Sequence, residues 1–186
     1  MNIICKYFLI GFLFLSSISY TQKAKLHTNY GFLLSQIDGD DAGGFRKIGY
    51  NIGAGFLIPR TDKFNIDLNL RINQKGAREF GFSARLNYLE GSTTFNYLLN
   101  DFLIGGGLGY GYLIAHNTNL DFNESGGLRR SDVLAYLQLG YKLGKRTILS
   151  TRLDQSLISI RRDSNTRLAP AWFNRSILVE LIILTK

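Results

Sequence analysis

Residues 62–74, DKFNIDLNLRINQ, alternate almost without a slip between apolar and polar side chains. Phe64, Ile66, Leu68, Leu70 and Ile72 share one parity, and Asn65, Asp67, Asn69, Arg71 and Asn73 share the other. A period of two places the two sets on opposite faces of a β-strand. The same period recurs along the chain and predicts eight strands, over about residues 28–37, 45–58, 63–74, 82–96, 101–115, 132–143, 146–160 and 172–185. Most of these segments exceed the roughly five or six residues of a soluble strand. They reach the roughly 9–11 residues that a tilted strand needs to cross a bilayer.

The second segment sets Ile48, Tyr50, Ile52, Ala54, Phe56 and Ile58 against Lys47, Gly49, Asn51, Gly53 and Gly55. The fifth sets Phe102, Ile104, Leu108, Tyr110, Tyr112 and Ile114 against Gly105, Gly107, Gly109 and Gly111. The sixth sets Val133, Ala135, Leu137, Leu139, Tyr141 and Leu143 against Tyr136, Gln138, Gly140 and Lys142. The fourth segment is irregular. Ala84, Leu86 and Tyr88 begin one apolar parity, while Leu89, Phe95 and Tyr97 carry the other. Either a bulge near Asn87–Leu89 resets the register or two short strands run together.

Connection lengths alternate. DGDDAGG (38–44), QKGAREFG (74–81), HNTNLDFNESGGLRRS (116–131) and RRDSNTRLAPA (161–171) read as long loops. PRTD (59–62), the link around Leu98–Asn100 and a Gly144-Lys145 hairpin read as short turns, with Gly144 supplying the positive φ of a primed turn. Long loops at one end and short turns at the other are the asymmetry of an outer-membrane barrel. The lumen of an eight-stranded barrel is just wide enough for side chains, so eight rows of bulky residues would crowd it. Apolar rows against lipid and polar rows inside satisfy both faces, and ring closure pairs the backbone. The expected fold is an all-β, eight-stranded, antiparallel, up-and-down transmembrane barrel. The alternative is a secreted, lipocalin-like soluble barrel with a hydrophobic ligand inside. Tyr30, Tyr50, Phe56, Phe64, Phe82, Tyr88, Tyr97, Phe102, Tyr112, Trp172 and Phe173 lie mainly toward segment ends, as aromatic girdles do.

The first residues follow a different pattern. In MNIICKYFLIGFLFLSSISYT (1–21), Lys6 precedes an apolar run, Tyr7–Ile18, and Ser19 and Thr21 stand before Gln22 as a cleavage site requires. Residues 1–21 are expected to be a signal peptide and residues 22–186 the barrel domain. Cys5, the single cysteine, precedes the apolar run rather than following it, so no lipid anchor is expected. The processed chain then has no disulfide and no thiolate metal site.

INQKGAREF (72–80), LNYLEG (86–91), GGGLGYGYLIA (105–115), GYKLGKR (140–146) and the Arg152–Ile160 stretch occur in an order that resembles the PorT-like outer-membrane β-barrel proteins of Bacteroidota. The resemblance covers nearly all of the processed chain. It implies an eight-stranded barrel in the outer membrane, and its namesake is associated with type IX protein secretion. Gly91-Ser92 stand where the family has a proline after YLE, and the chain ends LIILTK without a terminal aromatic residue.

Asp67, Arg71, Arg85, Glu90, Lys142, Arg152, Asp154 and Glu180 fall on polar parities and are expected to form a charge network that plugs the lumen. The chain carries a formal charge of +8. Much of the excess lies in or beside the long loops, where Arg129, Arg130, Arg161 and Arg162 are expected to meet lipopolysaccharide phosphates through guanidinium forks. Envelope proteins are further expected partners, and nucleic acid is not. Neither histidine, His27 nor His116 with Ser131 and Glu124 nearby, matches a catalytic pattern, so no enzyme is expected. DGDD and DFNE lack EF-hand spacing and the glycine runs are strand faces, so no cofactor is expected.

Overall fold

The computed structural model describes residues 24–39, 44–79, 82–118, 127–162 and 171–185. Within them every regular element is a strand: β1 (Lys25–Asp38), β2 (Lys47–Pro59), β3 (Phe64–Glu79), β4 (Phe82–Leu99), β5 (Phe102–Thr118), β6 (Ser131–Lys142), β7 (Thr147–Ser156) and β8 (Phe173–Leu184). Each strand pairs antiparallel with the next, and β1 pairs with β8 to close the barrel. The expected signal peptide at residues 1–21 lies outside the described residues.

The alternation read from the sequence sorts side chains by face. Asp67, Asn69 and Arg71 are buried while Leu68 and Leu70 are exposed on the same strand. Apolar exposure continues around the whole cylinder, through Phe32, Ile48, Leu108, Leu137, Leu153 and Val179 among others. Phe56, Tyr97, Phe102 and Tyr141 are exposed near the short-turn end, where the Phe102 and Tyr141 rings lie 5.0 Å apart. Two residues expected in these girdles are not there: Tyr88 and Trp172 are buried.

Three local expectations are corrected. The irregular fourth segment is one strand without a reset. Ala84, Leu86, Tyr88, Glu90 and Ser92 all face inward. The register shift lies across the β4–β5 pairing, where Asn87 faces Ala115 and Tyr88 faces Leu113, so the extra residue is Ile114 of β5. QKGAREFG is not a long loop. β3 and β4 stay paired out to Glu79 opposite Phe82, because Ala77, Ala84 and Leu86 bury their side chains in the lumen. The β6–β7 connection runs over residues 143–146 rather than closing as a two-residue hairpin, with the Leu143 amide donating to the Thr147 carbonyl over 2.9 Å. Gly144 is not among the positive-φ residues, and the short turn that uses that region is β4–β5, with Asn100 at φ 56°.

Candidate functional site

The lumen holds two layers of different chemistry. Across its middle lies an ion-pair network. Glu90, on β4, accepts from Asn73 at 2.8 Å, Lys75 at 3.2 Å and Arg152 at 2.5 Å. Arg152 also bonds Asp154, and its guanidinium lies 3.8 Å from the Tyr136 ring centroid. Asp154 accepts from Ser176 at 3.0 Å. Arg71 of β3 reaches Glu180 of β8 at 3.3 Å, across the barrel wall interior. Nearer the short turns His27 pairs with Asp67 at 2.8 Å. Nearer the long connections Asp132 accepts from Ser156 at 2.7 Å and Asn174 at 2.9 Å. Buried charges need such partners because an unpaired one would lose its hydration without compensation.

Glycine makes the network fit. A Cβ on Gly53 would come within 2.7 Å of the Arg71 Cβ, and one on Gly107 within 2.7 Å of the Tyr136 ring. The glycine-rich inner faces therefore hold the space that Arg71 and Tyr136 occupy.

Of the eight residues expected in the lumen network, Arg71, Glu90, Arg152, Asp154 and Glu180 are brought together, and Asp67 is buried beside His27. Arg85 is exposed, because Ala84 and Leu86 take the inward positions around it. Lys142 faces the lumen mouth, half-exposed, donating to the Asn100 carbonyl over 3.4 Å rather than joining the network. Lys75, Asp132 and His27 were missed as network members. Lys75 lies in a stretch that reads as a loop, and Asp132 begins its strand. Parity alone would have found Lys75, since it matches Asp67 and Arg71.

Above the network, toward the long connections, the lumen turns apolar. Ile37, Leu86, Tyr88, Leu113, Ile160 and Trp172 form a buried cluster, with Leu128 packed on it. Backbone pairing holds this cap across the mouth. Leu128 bridges Arg161, the Arg129 amide donates to Ile160 over 2.7 Å, and Ile160 donates to Trp172 over 2.8 Å. That pairing puts the four expected rim arginines on two adjacent antiparallel segments. Arg130 and Arg162 are exposed and Arg129 and Arg161 half-buried. Arg130 donates to the Tyr112 hydroxyl over 3.2 Å, and Arg161 lies 5.1 Å from the Trp172 ring centroid.

His27 is hydrogen-bonded to Asp67 and, among the described residues, to no hydroxyl nucleophile. His116 is exposed near the long-connection end of β5, opposite Leu86. Among the described residues no cluster of three potential metal ligands occurs. The loop acids Asp40, Asp41, Asp121 and Glu124 lie outside the described residues.

Solved barrels share the architecture. The crystal structure of Ail, the attachment invasion locus protein of Yersinia pestis, aligns with a TM-score of 0.50 at 8% identity, covering 88% of this chain and 99% of that one. Neisserial surface protein A aligns with a TM-score of 0.55 at 9% identity, covering 86% of this chain and 97% of that one. Both are eight-stranded outer-membrane barrels, and this chain has their fold. No protein-family model matches the sequence, and no curated protein does.

Proposed function

We propose that this chain is a non-enzymatic bacterial outer-membrane barrel whose lumen is plugged and whose work is done at its outer face, as a structural or accessory part of an envelope complex. One observation carries this reading: the exterior is a continuous apolar belt while the interior is an ion-pair network under a buried apolar cap. A water-soluble lipocalin-like barrel would need the reverse arrangement. The fold shared with Ail and Neisserial surface protein A supports the same compartment. A PorT-like role beside a secretion machine is the specific form that the sequence motifs favour.

Fractionation tests the compartment. The protein is expected in detergent-extracted outer membranes, with a change in gel mobility on boiling, and recovery in the soluble periplasm would sink the reading. A sealed lumen also predicts no stepwise conductance when the purified protein is added to planar bilayers. Reproducible channels would contradict the plug.

The partner we propose for the outer rim is lipopolysaccharide, whose phosphates suit the guanidinium forks of Arg129, Arg130, Arg161 and Arg162. Each basic residue near an anionic membrane surface is worth about 1 kcal/mol. Reversing all four to Glu is therefore expected to lower co-purified lipopolysaccharide at least about tenfold. Unchanged co-purification would remove this partner.

A further inference from the structure

The lumen mouth at the short-turn end differs from the rest of the interior. Most inward-facing positions there are apolar, Leu57, Leu98, Leu103, Ile148 and Leu184, and the one amide among the lining residues, Asn65, is buried with its Oδ1 accepting from Asn96 at 3.0 Å. Leu103 and Ile148 are buried, but Leu57, Leu98 and Leu184 are half-exposed. Together they line a cavity of about 430 Å³, within the range of roughly 300–1,000 Å³ for small-molecule sites. Apolar surface held open to water is unfavourable.

The lip of the cavity is basic. Lys25, Lys142 and Lys145 line it against one carboxylate, Asp62, leaving two positive charges in excess. Among the described residues none of the three lysines takes part in an ion pair. Lys142 donates only to the Asn100 carbonyl. An apolar floor beneath unpaired ammonium groups complements a ligand with the opposite plan, an apolar tail under an anionic head. The narrow mouth of an eight-stranded barrel admits one chain rather than two. Ammonium groups act as point charges and do not impose the planar fork that a guanidinium would.

We propose that this cup binds a single-chain aliphatic carboxylate, its tail on Leu103 and Ile148 and its head among Lys25, Lys142 and Lys145. The inference depends on the barrel topology and not on the rim arginines or any lipopolysaccharide partner.

The test uses the full chain folded in lipid bilayer discs, with labelled leucine and isoleucine methyl groups, titrated with decanoate. Saturable shifts are expected at Leu103 and Ile148 and none at Leu128 and Ile160 in the opposite cap. Octanoate, two methylenes shorter, should bind roughly fifteenfold more weakly, at about fourfold per methylene. The variant Lys25→Gln/Lys142→Gln/Lys145→Gln, altered only at the mouth, should bind at least tenfold more weakly. Decyltrimethylammonium should give no saturable shift. Equal binding of the cationic compound, an unaffected triple variant, or non-saturating shifts at both ends would overturn the site. A wild-type protein that shows no mobility change on boiling would instead count against the membrane-barrel reading, which keeps the two failures apart.

Discussion

Glu90→Ala is expected to destabilise the barrel by about 3–5 kcal/mol, the cost of leaving buried charges unpaired. Glu90 is 0% exposed and, among the described residues, is the only carboxylate that meets both Lys75 within 3.2 Å and Arg152 within 2.5 Å. Without it, the remaining ion pair of Lys75 among the described residues is the 3.9 Å contact to Asp154, an anion already engaged by Arg152, beside the Tyr88 ring at 5.8 Å. Water cannot easily replace the lost partner in so narrow a lumen. Trp172 is the single tryptophan and sits in the cap, so urea unfolding followed by its fluorescence reports the change. Adding Lys75→Met to Glu90→Ala removes one of the stranded cations and should recover part of the loss. A double-mutant cycle measures that coupling directly. A Glu90→Ala protein as stable as the parent would mean that the network adds nothing to closure.

Leu137→Arg should cost about 2–4 kcal/mol in a bilayer, the range for a basic residue on the lipid face near the midplane. Leu137 is 68% exposed at the middle of β6. The same substitution on a water-facing surface would change stability by only about 0.5 kcal/mol in either direction. Folding the variant into lipid vesicles and comparing urea midpoints with the parent therefore separates the two environments. A near-neutral result would place this face in water and remove the basis for a membrane address. Leu103→Arg would not discriminate, because Leu103 is buried in either case.

The strict period of two in segments such as 62–74 determined which faces are apolar, and so the all-β class, the number of strands and the outward direction of the greasy rows. That much is local, because side chains alternate along any strand whatever it pairs with. Parity likewise placed Asp67, Arg71, Glu90, Arg152, Asp154 and Glu180 inside. It failed for Arg85, where a presumed bulge in β4 inverted the reading. The bulge lies on the partner strand at Ile114, and a one-strand pattern cannot say which side of a pair carries the extra residue. The partners of each charge were also hidden. Arg71 and Glu180 are 109 positions apart and meet only because strand tilt and ring closure bring β3 and β8 across a shared lumen. The apolar cap, with Trp172 and Tyr88 turned inward, and the basic cup beside Leu103 are likewise products of closure. A cylinder has two ends and one axis, and which inward residues share a level along that axis is set by the register of all eight strands together.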